Sequence, residues 1–174
     1  MGQDKRALLF RGETLLDRGC HLLNSLVANN ILDEFVISGS IGRANVRIVS
    51  DQFCGKGPAG GILSIITALT LKPQDLLMAI PIDMPLLDCK HLTRLVESST
   101  QYQQSVCYYN AWLPISIVIT PELLLATSNW HNEKKGLSVA QLLKLSNGRT
   151  LEPEQPALLL NVNSPEQWMR LLTY

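Results

Sequence analysis

Two aspartates stand at matching places in the chain, each just beyond a short apolar run. Asp51 follows Val46-Arg47-Ile48-Val49, and Asp83 follows Leu76 to Ile80 within Pro81-Ile82-Asp83-Met84-Pro85. Open α/β sheets bind ligands beyond the carboxyl ends of their strands. If the two strands are near neighbours, Asp51 and Asp83 together suit a Mg²⁺ that carries a triphosphate. That ion takes hard oxygen ligands, one or two carboxylates among them, and lets phosphates complete its shell. The competing reading is that each aspartate only caps a turn. The prolines on both sides of Asp83 favour the first reading there, since they stiffen the segment that presents it.

Between the aspartates lies Gly55-Lys56-Gly57-Pro58-Ala59-Gly60-Gly61, with a helix expected from Ile62 onward. Such a turn lets a ligand approach the backbone closely, and the unpaired amides of a helix start attract anions. No Gly-Lys-Ser/Thr closes it, so it is not a Walker loop. Lys5 is the third candidate. A fixed ammonium beside a triphosphate stabilises the charge that grows on the phosphoryl oxygens and departing pyrophosphate of a nucleotidyl transfer. Without that context, a lysine near the N-terminus reads as a solvated surface group.

The elements that must position these residues alternate between strand and helix. Thr14 to Asn29 reads as a helix with Leu15, Leu16, Leu22, Leu23, Leu26 and Val27 on one face. Glu34 to Ser38 and Val46 to Val49 read as strands, and Gly60 to Leu71 as a helix that Pro73 ends. Leu76 to Ile80 is continuously apolar, the pattern of a strand covered on both faces. Asp88 is placed to cap a helix running to about Ser98. Ser105 to Tyr109 and Ile115 to Ile119 read as strands separated by Asn110 and Pro114. Pro121 opens a short helix, Ser138 caps another through Leu145, and Leu158 to Leu160 reads as a last strand after a surface loop at Asn147 to Pro156. Ser164, Pro165 and Gln167 carry the signature of a capped helix start. The alternation predicts an α/β fold with a mostly parallel sheet and helices on both faces.

Composition narrows the function classes. A chain of 174 residues is the length of one domain with a full core, here taken as 1–174, and 46% hydrophobic residues argue against disorder. Fifteen basic residues balance fifteen acidic ones, which excludes binding to nucleic acid through a basic field. No run approaches the roughly 18 apolar residues of a membrane span. Cys20, Cys54, Cys89 and Cys107 form no CxxC pair, so free thiols in a reducing cytoplasm are expected. His21, His91 and His131 are equally scattered, against a structural zinc site.

Four short segments, in this order, resemble the molybdenum cofactor guanylyltransferase (MobA-like) family. Met1-Gly2-Gln3-Asp4-Lys5 is similar to its Met-Gly-x-Asp-Lys. Asp51 with Gly57-Pro58-Ala59-Gly60-Gly61-Ile62 resembles its Asp…Gly-Pro-Leu-Ala-Gly-Ile, and Pro81-Ile82-Asp83-Met84-Pro85 resembles its Pro-Cys-Asp-Met-Pro. Asn161-Val162-Asn163-Ser164-Pro165-Glu166 resembles its Asn-x-Asn-Thr-Pro-Glu. The resemblance implies a nucleotide-diphospho-sugar-transferase-like fold. The implied reaction is transfer of GMP from GTP to molybdopterin cofactor with release of pyrophosphate, using Mg²⁺. By position, Lys5 would contact the nucleotide phosphates and act in catalysis, Asp51 would contact GTP, and Asp83 would bind both metal and nucleotide. Ser38 would lie beside the nucleotide, and Asn161 and Asn163 at the pterin side. Molybdoenzyme chaperones are the protein partners expected of an inactive, docking homologue.

The chain also departs from the family pattern. Ser38 stands where the family often has an asparagine, and Leu113-Pro114-Ile115 where it commonly has His-Pro. Two alternatives keep the fold: a cytidylyltransferase or other NTP transferase acting on a pterin, sugar or isoprenoid phosphate, and an inactive homologue that docks on partner proteins. The family's Leu-Ala-Gly-Gly loop and the strand before it are absent, and Met1 coincides with an internal methionine of the pattern. The expectation is therefore a natural start upstream, readable from the in-frame codons, and impaired activity for a chain lacking that loop.

Overall fold

The computed structural model describes residues 4–40, 43–53, 55–130 and 137–171; Met1, Gly2 and Gln3 of the N-terminal motif, Cys54 and His131 lie outside them. The chain enters through a single 3-10 turn, Lys5–Ala7, capped by the Asp4 carboxylate, which accepts from the Arg6 amide at 3.0 Å. A small hairpin follows, β1 (Leu9–Phe10) antiparallel to β2 (Glu13–Thr14), turned by Arg11 and Gly12 at φ 53° and 83°. Helix α1 (Leu15–Ala28) starts at Thr14, whose hydroxyl oxygen accepts from the Asp17 amide at 3.0 Å. Strands β3 (Ile37–Ser38) and β4 (Ile48–Val49) form a parallel pair, and α2 (Gly57–Ala68) leads to β5 (Leu76–Ala79). Then come α3 (Cys89–Tyr102), β6 (Val106–Tyr108), β7 (Ala111–Val118), α4 (Pro121–Asn129), α5 (Val139–Leu145), β8 (Arg149–Leu151) and α6 (Pro165–Leu171).

The larger sheet has the order β5-β7-β6-β8. Both ladders of β7 are antiparallel, and β6 pairs with β8 in parallel. It follows that β5, β6 and β8 all run one way, with β7 reversed among them. The strands are thus mostly parallel as expected, although the β7 ladders are not. Side-chain alternation splits the core across this sheet. Cys107, Ile115, Ile117 and Ile119 join Ile62, Leu63, Leu123, Leu142 and Leu143 of α2, α4 and α5. Val106 and Tyr108 turn the other way, onto Leu26 of α1 and Leu92 and Leu95 of α3. No described helix is long and apolar enough to cross a membrane. The described cysteines, Cys20, Cys89 and Cys107, are free thiols.

Several boundaries differ from the sequence reading. Leu158 to Leu160 does not form a strand. Pro156–Leu159 is a 3-10 turn, because a proline at the helix start pre-sets helical φ and removes a ladder donor. The edge strand instead lies inside the predicted surface loop, at Arg149–Leu151, where one parallel ladder to β6 leaves its other side exposed to water. Pro114 does not separate two strands but lies within β7; the turn is at Asn110, φ 60°. Helix α2 begins at Gly57, three residues before the expected Gly60, and ends at Ala68 rather than Leu71, and both Gly60 and Gly61 lie within it. Their small size serves packing: a Cβ on Gly60 would fall 2.9 Å from the Phe53 carbonyl oxygen, and one on Gly61 2.9 Å from Ser38 Oγ. Strand β5 is not covered all round, for each of its four residues keeps partial exposure.

Tyr108 gives the fold a pH dependence. It is fully buried, its hydroxyl donates to the His91 carbonyl at 2.9 Å, and burial pushes the phenol up to about 12. Below about pH 10 the phenol is neutral in both folded and unfolded chains. Above that, the unfolded chain releases the proton first, so stability present at neutral pH is lost as pH rises towards 12. Tyr108→Phe is expected to unfold about 1 kcal/mol more easily at pH 7 through the lost hydrogen bond. It should also show a shallower decline above pH 10; a decline as steep as the parent's in thermal melts would refute this.

Candidate active site

Strand β5 runs directly into the Pro81–Pro85 segment, at whose centre Asp83 meets Lys5. Lys5 Nζ donates to Asp83 Oδ2 at 2.9 Å and to Asn163 Oδ1 at 2.5 Å. The Lys5 and Asp83 side chains are 30% and 20% exposed, so both are held in place yet open to a ligand. Three of the candidates thus converge from positions far apart in sequence.

A small separate core holds them. Phe10, Leu15, Val162 and Leu171 are buried together, with Leu8, Ile82, Leu86 and Trp168 packed around them. These residues join the N-terminal hairpin, the Asp83 segment and the C-terminal helix. The Val162 amide donates to the Asp83 carbonyl at 2.8 Å, which fixes the Asn161–Asn163 segment beside Asp83. Gln167 Oε1 accepts from the Asn163 and Ser164 amides at 2.7 and 3.0 Å, and the Gln167 amide returns to Ser164 Oγ at 3.2 Å. This is the capping box read from the sequence. Arg18 of α1 donates through Nε to the Pro85 carbonyl, with its guanidinium 5.5 Å from the Phe10 ring centre. Sequence reasoning passed over Arg18. The available signal was a cation on the apolar face of α1, three residues after Leu15 and four before Leu22.

Asp51 has a different setting. Its Oδ1 accepts from the Phe53 amide at 2.8 Å and lies 3.1 Å from Ser64 Oγ, to which the Gln52 amide donates at 2.9 Å. Asp51 therefore caps the turn leading to α2, and it does so on the wall of the same trough that Asp83 lines. Ser38, Asp51, Lys56, Asp83 and Asn161 all border this space of about 1540 Å³ between β3 and β5. Of the two asparagines, Asn161 borders the trough, and Asn163 accepts from Lys5 beside Asp83. Among the described residues no three histidine, cysteine or carboxylate side chains converge as a metal cluster.

Comparison with known proteins bears on the family and the fold. Residues 1–149 match the family described as MobA-like NTP transferase domain. The molybdenum cofactor guanylyltransferase of Xanthomonas euvesicatoria pv. vesicatoria (strain 85-10) is 29% identical over 175 aligned residues, 99% of this chain and 87% of that protein. Among solved structures, molybdopterin-guanine dinucleotide biosynthesis protein A from Archaeoglobus fulgidus superposes with TM-score 0.66 at 14% identity, covering 99% of this chain and 90% of the other. The 2-C-methyl-D-erythritol 4-phosphate cytidylyltransferase from Thermus thermophilus superposes with TM-score 0.64 at 14% identity, covering 97% and 92%. The fold is thus the α/β fold of the nucleotide-diphospho-sugar transferases, and the chain belongs to the MobA-like NTP transferase domain family.

Proposed function

We propose that this protein transfers GMP from GTP to the terminal phosphate of molybdopterin cofactor, releasing pyrophosphate. The observation that carries the reading is the junction of Lys5, Asp83 and Asn163 beside a trough that Asp51 and Ser38 also border. In the reaction, a terminal phosphate oxygen of the pterin attacks the α-phosphorus of GTP. The bond from that phosphorus to the α,β-bridging oxygen breaks, and pyrophosphate leaves with the electron pair. No covalent bond to the protein is needed; its work is positioning and charge stabilisation.

Each residue then has a task. Lys5 places an ammonium against the phosphate oxygens, where negative charge increases towards the transition state. Asn163 keeps that ammonium from swinging into solvent by accepting one of its hydrogens. Asp51 contacts the GTP from a position fixed by its own turn, Ser38 lies beside the nucleotide, and Asn161 borders the pterin side. Asp83 would hold a Mg²⁺, its partly exposed carboxylate supplying one hard oxygen and phosphates and water the remainder, a donor set that fits this ion. When bound, Mg²⁺ neutralises phosphate charge that the carboxylates would otherwise repel.

Base preference is the test. A ligand that binds only the folded state raises its melting temperature in proportion to the logarithm of its concentration over Kd. Melting with Mg-GTP is expected to rise by about 5 °C at saturation, with a smaller shift for Mg-CTP. An equal or larger CTP shift favours a cytidylyltransferase, the reading that Ser38 at the asparagine position supports. No shift with either nucleotide ends the proposal.

A further inference from the structure

The segment that presents Asp83 is held by three successive carbonyl groups. The Asp83 carbonyl accepts from the Val162 amide at 2.8 Å, and the Met84 carbonyl from the Leu87 amide at 3.2 Å. The Pro85 carbonyl accepts from Nε of Arg18. The ladder between β5 and β7 ends at Ala79 and Ile115, and Pro81 and Pro85 have no N–H with which to extend it. Carbonyl contacts therefore do much of the positioning here, and of these three only the contact to Arg18 comes from a side chain. Its donor is a cation, so the bond is stronger than one between an amide and a carbonyl.

Arg18 also grips a second structure. Its guanidinium lies 5.5 Å from the centre of the buried Phe10 ring, and Phe10 belongs to the β1–β2 hairpin that follows the Lys5–Ala7 turn. A cavity of about 20 Å³, room for about one water, lies between α1 and the Asp83 segment, bordered by Leu15, Arg18, Ile82 and Met84. Apolar contact is incomplete at this junction, so the Arg18 bond sets the distance across it. One planar group thus ties the stretch that carries Lys5 to the stretch that carries Asp83, whose charged atoms stand 2.9 Å apart. We propose that Arg18 is a positioning residue of the transfer reaction. It touches neither substrate nor metal, and it keeps Asp83 at working distance from Lys5 by holding Pro85 and Phe10 together. This rests on the roles given to Lys5 and Asp83 above. Misplacing a reacting group by about 1 Å costs up to about a hundredfold in rate, and arginine suits the task because its plane stacks while its edge donates.

The test compares Arg18→Met and Arg18→Lys in the full 174-residue chain, well below the melting temperature of each variant. Methionine keeps the apolar stem and loses the donor, whereas lysine keeps a donor without the plane. Arg18→Met is expected to lower kcat by about tenfold to a hundredfold. KM for GTP and for molybdopterin should change by less than about twofold, and Arg18→Lys should recover part of the rate. Amide exchange gives a readout that needs no turnover. The Val162 amide, bonded to the Asp83 carbonyl, should exchange at least about tenfold faster in Arg18→Met, while Leu92 and Leu95 of α3 keep parental rates. Arg18→Lys carries the same comparisons if the methionine variant does not fold. A raised KM with parental kcat would make Arg18 a substrate-binding group, and parental values of both would leave it outside the reaction; either result overturns the proposal. So does faster exchange at Leu92, Leu95 and Val162 alike, which marks a general loss of stability. A parent chain without transfer activity counts instead against the reaction proposed above. Exchange at Val162 then decides whether Arg18 holds the Asp83 segment, and parental exchange there overturns that claim.

Discussion

Asp83→Asn is expected to lower pyrophosphate release from GTP and molybdopterin by about 10²- to 10³-fold, the usual range for loss of one preorganised charge contact at a reacting centre. The substitution keeps the side chain's shape while removing the anion that faces Lys5 and would face a cation. The fold should survive it. The contact that anchors the C-terminal segment runs from the Val162 amide to the Asp83 main-chain carbonyl, which the change leaves alone. The Lys5 pair is partly exposed, so its loss should alter stability by no more than about 1 kcal/mol. Paired measurements are decisive: initial rates over a Mg²⁺ titration, and thermal melts of the same samples. A normal rate in a folded variant would remove Asp83 from the chemistry.

Lys5→Met comes second in expected size. The aliphatic stem is kept and only the ammonium is lost. If that charge acts mainly on the transition state, kcat should fall by about 10²-fold or more, with a much smaller rise in KM for GTP. Lys5→Arg should recover part of the rate, since charge returns with altered geometry. A change in KM alone would make Lys5 a binding group, and an unchanged kcat would make it only the partner of Asp83. The two predictions are not independent, because the residues touch. The double variant is expected to lose less than the product of the single losses.

Much of this site was legible in the chain because its parts lie at element boundaries with strong local chemistry. Pro81 and Pro85 mark the Asp83 segment, and Ser164, Pro165 and Gln167 mark the helix start beside Asn163. Thr14, Asp88, Thr120 and Ser138 all cap helices, each through a side-chain oxygen that accepts from an amide three residues on. Such signals act over a few residues, so sequence reading captures them. Ladder partners do not. Nothing local in Ala111 to Val118 says that β7 will lie between β5 and β6 and oppose both. Nor does the polar Arg149-Thr150-Leu151 announce a strand, because its pairing energy comes from β6, far back in the chain. The Lys5–Asn163 contact was hidden for the same reason. Both residues were singled out, but for separate duties, and only the packing of Leu8 and Phe10 with Val162 and Leu171 brings them together.

That small packing unit has a consequence for how the protein comes into being. Lys5 and its amide partner are separated by 158 positions, so a ribosome must add all the residues between them before the ammonium can be seated. Larger chains tend to fold from the N-terminus during synthesis, yet here the Lys5–Ala7 turn must wait for the segment around α6. The nascent polypeptide is thereby kept from assembling this corner until Val162, Asn163 and Leu171 have emerged.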